Sequence, residues 1–118
     1  MSNVSWLLEV EIQAGASENF EELMQEMVAS TQVNELGTIG YEWSTNVDGT
    51  ICHLHERYKD SAAVMTHLVS FGEKFAERFM KVCAPTRLVV YGSPSEEAKS
   101  ALAAFNPSYM ASGGGFTR

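Results

Sequence analysis

The chain opens on an alternation. Val4, Trp6, Leu8, Val10 and Ile12 share one parity, and Ser5, Leu7, Glu9, Glu11 and Gln13 share the other. Period two over that length predicts a strand with one fully apolar face, ended by the Ala-Gly-Ala turn at 14–16. The spacing then changes. Phe20, Leu23, Met24, Met27 and Val28 recur as one face of an amphipathic helix running to about residue 33. Ser17 is its expected N-cap, and Glu18 falls in the first turn, where the helix dipole favours negative charge.

Alternation returns with Ile39, Tyr41 and Trp43 on one side and Thr38, Gly40, Glu42 and Ser44 on the other. The turn at 47–50 has Asp48-Gly49 at its centre, so residues 51–59 (ICHLHERYK) are the return strand of a hairpin. Asp60 is placed to cap a second helix with Val64, His67, Leu68 and Phe71 on one face. Gly72, and the S-x-x-E spacing of Ser70 and Glu73, predict a break and restart near residue 70. The restarted part turns Phe75, Phe79 and Val82 inward. Pro85 stops the helix, and TRLVVYG (86–92) reads as a fourth strand.

A short third helix follows, with Ser95 as cap, Glu96 and Glu97 in its first turn, and Ala98, Ala101, Leu102 and Phe105 on one face. The Gly- and Ser-rich tail still carries Tyr109, Met110 and Phe116, so it is either a loose terminus or a segment that docks those three anchors. The order β-α-β-β-α-β predicts an α+β fold: a ferredoxin-like antiparallel sheet with the long helices on one face, then a short C-terminal helix and tail. The first and third strands become central neighbours, and the second sheet face is left bare. Residues 1–92 form the expected domain, and residues 93–118 the C-terminal helix and tail.

At 118 residues, 45% hydrophobic and 19% charged, the chain suits one globular domain with one core. A net charge of −7, with eight scattered Lys and Arg, argues against nucleic acid and against an anionic membrane surface. No apolar run reaches membrane-spanning length, and the N-terminus lacks a basic region, so a signal peptide is not expected and the cytoplasm is the default. Cys52 and Cys83 have no CxxC spacing and read as buried free thiols.

Three histidines raise the question of chemistry. On the third strand His53, His55 and Arg57 point to the bare face, toward Glu9 and Glu11 of the first strand, and charge balance across strands accounts for them. Two His at i, i+2 with a neighbouring carboxylate could also ligate zinc, but no third ligand stands nearby in sequence. Cys52, Leu54, Glu56 and Tyr58 point the other way, under the helices. Glu56 is the anomaly there, a carboxylate on an inward face that needs a partner such as a Tyr hydroxyl or His67.

The βαββαβ core, the G-x-x-x-Y of Gly37 to Tyr41, the run HERYKD with Glu56, Tyr58 and Asp60, and a histidine seven residues after Asp60 together resemble a known group. It is the antibiotic-biosynthesis-monooxygenase group of dimeric α/β-barrel proteins, and the likeness covers residues 4–92. The resemblance implies a homodimer closed through the bare sheet faces and a pocket between each subunit's own sheet and helices. It implies oxidation of a small aromatic phenol or quinol by O₂ with neither metal nor other cofactor, although other members degrade haem, isomerise small molecules, or have no known activity. Haem fits poorly, since the matching helix position lies near Glu77 and no histidine follows residue 67.

Placed in such a pocket, His67 is the candidate base, because a partly desolvated imidazole can take a phenolic proton. Tyr58 joins it as a catalytic candidate that orients the substrate oxygens. Trp6, Tyr41 and Trp43 would supply flat walls for a planar ligand, Glu56 a polar contact, and Asn34 a donor at the end of the first helix. Each has a plainer reading: core packing for the rings, a buried core residue for His67, a C-cap for Asn34. A non-catalytic binding dimer, or a non-redox enzyme of the isomerase or cyclase kind, is the alternative function on the same fold.

Overall fold

A computed structural model describes residues 3–118. Among the described residues five strands form one sheet in the order β2-β3-β1-β4-β5: β1 (Val4–Ile12), β2 (Thr38–Thr45), β3 (Ile51–Tyr58), β4 (Cys83–Gly92) and β5 (Ser108–Met110). All pairings are antiparallel except β4–β5. Helices α1 (Ser17–Asn34), α2 (Ser61–Lys74) and α3 (Ala76–Val82) cover one face, and α4 (Glu96–Leu102) follows β4. The first four strands have the expected ferredoxin-like arrangement, with β1 and β3 side by side at the centre.

The alternation in β1 does what its period predicts. Val4, Trp6, Leu8 and Val10 are buried under the helices with Phe20, Leu23, Met27, Leu54, Val64 and Phe79, while Ser5, Leu7 and Glu9 lie on the other face. Register carries that parity across the sheet. Trp6 pairs with Glu56 and Glu56 with Tyr41, so three strands deliver these side chains in one row under α2. On the opposite face Glu9 pairs with His53, whose Nε2 lies 2.9 Å from Glu9 Oε1. Among the described residues no helix is long and apolar enough to cross a membrane.

Several local expectations are corrected. Ser17 is the first residue of α1 rather than its cap; Ala16 holds that position and no side chain caps the helix. The second helix does break, but at Phe75 rather than near residue 70. Gly72 is exposed on the outer side, where it costs only about 1 kcal/mol in propensity, and the later break lets Phe71 and Phe79 meet edge to face at 5.3 Å. Ile39 does not share the inward face of Tyr41 and Trp43. A bulge between Thr38 and Gly40 puts it into solvent.

The fourth strand starts at Cys83, three residues before the predicted start, and takes in Pro85. A strand tolerates the missing N–H there because the ladder to β1 shifts between Glu9 and Val10, opposite the proline. The expected caps of α2 and α4 are present: Asp60 accepts from the Ala63 N–H, and Ser95 from that of Ala98. The tail is ordered in part, since Ser108–Met110 adds a fifth strand parallel to β4.

Candidate active site

Beneath α2 lies a chain of buried polar groups. His67 is on the inward face of the helix, with Nδ1 2.7 Å from Glu35 Oε1 and Nε2 3.3 Å from Glu56 Oε1. The first contact is a well-formed hydrogen bond. The second is longer and has the distance of an ion pair. Tyr58 donates its hydroxyl to the same Glu56 oxygen at 2.5 Å, and Thr38 donates to Glu35 at 3.3 Å. Tyr41 and Tyr58 stand against the imidazole at ring separations of 5.6 and 5.3 Å.

The local sequence explains how Glu35 arrives there. It is the C-cap of α1, its N–H donating to the Thr31 carbonyl, and the chain reverses immediately at Leu36-Gly37. Gly37 packs against α2 so closely that a Cβ there would stand 2.6 Å from the Cβ of Ala63. Ala63 and His67 are four residues apart on one helix face. That close approach therefore sets the α1–β2 turn one helical turn from the imidazole.

Electrostatics follow from this enclosure. Burial pushes the His67 pKa down, but the two carboxylates more than offset it and hold the imidazole protonated up to about 9. For Glu35, burial pushes upward and is outweighed by the hydrogen bond and charge of His67, leaving its pKa below the ordinary carboxylate value. The hydroxyl of Tyr58 is pushed well up by burial and by the neighbouring Glu56 charge. That of Tyr41 is raised by the same causes. Tyr41 Oη and Trp43 Nε1 are buried without a hydrogen-bond partner of good geometry.

A cleft of about 40 Å³ opens between sheet and helices, with His67 on its wall. Trp6, Leu8, Phe71, Leu102 and Phe105 are among its other lining residues, and apart from His67 and the Trp6 indole it is apolar. Of the candidates named from sequence, only His67 and Trp6 line the cleft. Glu56, Tyr58 and Tyr41 cluster behind the imidazole, and Trp43 packs between Phe20 and Phe79. Asn34 is exposed at the end of α1, 3.4 Å from Ser30 Oγ, and borders a separate groove of about 320 Å³ outside the cleft. Among the described residues no group of three His, Cys, Asp or Glu side chains is arranged to hold a metal ion.

Glu35 was not legible as a site residue. It reads as one more polar position after a helix, and the one hint is the glycine two residues on.

Residues 4–81 match the model of the antibiotic biosynthesis monooxygenase family. The chain belongs to that family. Among solved structures, MupZ from Pseudomonas fluorescens is 26% identical, with 100% of this chain and 96% of that one covered and a TM-score of 0.87. SnoaB from Streptomyces nogalater, a cofactor-independent oxygenase, is 13% identical over 80% of this chain and 96% of its own, with a TM-score of 0.68. A conserved protein from Methanosarcina mazei is 15% identical over 81% and 95%, with a TM-score of 0.65. The two more distant likenesses show the fold alone. No curated protein matches the chain. The family segment ends before α4, so the cleft wall made by Leu102 and Phe105 lies outside it, whereas the likeness to MupZ spans the whole chain.

Proposed function

We propose that the chain is an enzyme acting on a small, mainly apolar molecule in this cleft, and that its reaction is the cofactor-independent oxidation of an aromatic phenol or quinol by O₂. The observation that carries the reading is the pairing of His67 with Glu35. A carboxylate behind Nδ1 fixes the ring and raises its basicity, and the more loosely held Nε2, 3.3 Å from Glu56, is the nitrogen left to exchange a proton. Once Nε2 is unprotonated it accepts the phenolic proton, and the electron-rich anion passes electrons to O₂. One oxygen atom enters the substrate and the other leaves as water, with the substrate supplying all the electrons. Trp6 provides a flat wall, and Tyr58 positions Glu56. A homodimer through the open sheet face belongs to the same reading, supported by family membership and by the groove of about 630 Å³ on that face.

A second reading rests on the carboxylates that lie against both ring nitrogens of His67, which favour the protonated ring and hold it up to about pH 9. At neutral pH the ring is then a donor, suited to a non-redox isomerisation or ring closure that needs a general acid. Two measurements separate these. Oxygen uptake with chelator present, across reduced naphthols, anthrones and quinols, supports the oxygenase if His67→Ala abolishes it. The base role predicts a rate that climbs with pH and levels off near 9, and the acid role predicts one that falls there. Absence of uptake throughout the panel retires the oxygenase.

A further inference from the structure

The walls and the charge of the cleft over His67 specify more than its position. We infer that it selects an uncharged, largely hydrocarbon ligand presenting one oxygen to His67, and that Phe105 limits the size of that ligand. The inference rests on the reading that this cleft is the functional site.

Charge is the first argument. Both ring nitrogens of His67 face carboxylates, those of Glu35 and Glu56, so the buried cluster is net negative even with the imidazole protonated. No Lys or Arg is among the residues lining the cleft. A ligand carboxylate or phosphate would be stripped of water beside that cluster with no cation to meet it. Polarity is the second. A ligand oxygen at the imidazole meets the one polar side chain of the wall besides the Trp6 indole. Further oxygens along Leu8, Leu54, Leu68, Phe71 and Leu88 would find no partner.

Size is the third argument. About 40 Å³ accommodates a water or two, whereas a benzene-sized ligand needs a cavity on the order of 150 Å³. A ring ligand must therefore displace a wall. Most walls are strands and long helices, but Phe105 sits half-buried on the three-residue 3₁₀ turn Ala103–Phe105, followed by Asn106 at φ 52°. It is the lining ring with the shortest element behind it. Because this segment lies beyond the family match, the same catalytic layer can be given a different ligand size by changing one turn.

Calorimetric titration tests this with a naphthol and the corresponding naphthoate, at neutral pH, on the wild-type chain and on Phe105→Ala and Phe105→Leu. The naphthol is expected to bind at least about tenfold more tightly than the naphthoate, since the anion must be buried unpaired. Phe105→Ala is expected to tighten naphthol by about tenfold, with Phe105→Leu between, because no ring has to be displaced. Equal affinity for naphthoate overturns the charge selection. Unchanged or weaker naphthol binding in Phe105→Ala overturns the role of Phe105, and no binding by any form overturns the cleft as a ligand site. Naphthol that binds without consuming oxygen retires the oxygenase reaction and leaves this inference standing.

Discussion

Glu35 Oε1 lies 2.7 Å from Nδ1 of His67, across 32 positions of sequence, and both side chains are almost wholly buried. Neither would be stable there alone. A carboxylate or an imidazolium removed from water costs several kcal/mol, and the mutual hydrogen bond together with Glu56 offsets that cost.

Removing the cation should therefore hurt more than an ordinary core truncation. His67→Ala leaves the buried carboxylates of Glu35 and Glu56 without their cation and is expected to lose about 3–5 kcal/mol of stability. Adding Glu35→Gln and Glu56→Gln should recover part of the loss. Urea denaturation of the single and triple variants checks both.

The same cluster sets a pH window. The folded His67 pKa, about 9, lies above its unsupported value of 6.5, so its stabilising contribution is complete below 6.5 and lost as pH rises through 9. A displacement of that size corresponds to roughly 3 kcal/mol. Glu35 acts oppositely: its pKa is lowered, so its contribution is present above 4.5 and lost as pH falls below that value. Thermal melts from acid to alkaline pH should show a plateau in mildly acidic buffer and a decline toward pH 9. His67→Gln, with no titrating ring, should flatten the alkaline limb.

Close approach at Gly37 is a separate test of how the site is assembled. Gly37→Ala puts a methyl 2.6 Å from the Ala63 Cβ, which must push α2 and the α1–β2 turn apart at a cost of about 1–3 kcal/mol. Ala63→Gly in the same chain should restore most of it. A double-mutant cycle that shows simple additivity would mean the two positions do not press on each other.

Both cysteines are free and buried. Burial pushes the Cys52 thiol up to about 11 and that of Cys83 up to about 12, so neither forms thiolate at neutral pH. A thiol reagent should find no reactive group in the native protein and both groups in denaturant. Fast native reaction of either would show that the core opens there.

Much of this molecule is written in short-range pattern. Period two in residues 4–12 and 51–58, the helical spacing of Phe20 to Met27, the Asp-Gly turn and the caps at Asp60 and Ser95 each depend on a few adjacent residues, and each forms as the pattern requires. Parity even assigned faces, since a strand's side chains alternate whatever its neighbours are. Thus His53 meets Glu9 outside, and Glu56 turns inward to a tyrosine and a histidine. The shift of Ile39 and the entry of Pro85 into β4 were hidden because bulges arise from pairing between strands. The site itself was half visible. Composition along α2 marks His67 as a histidine on an apolar face, but not that both its nitrogens meet carboxylates. The Glu35 contact depended on Gly37 seating the end of α1 against Ala63, and the closing of the cleft on Leu102 and Phe105 returning from the far end of the chain. Local sequence determined the elements and their faces, because those follow from backbone periodicity. Tertiary packing alone determined which charges share a buried space, because that is settled by contacts between residues tens of positions apart.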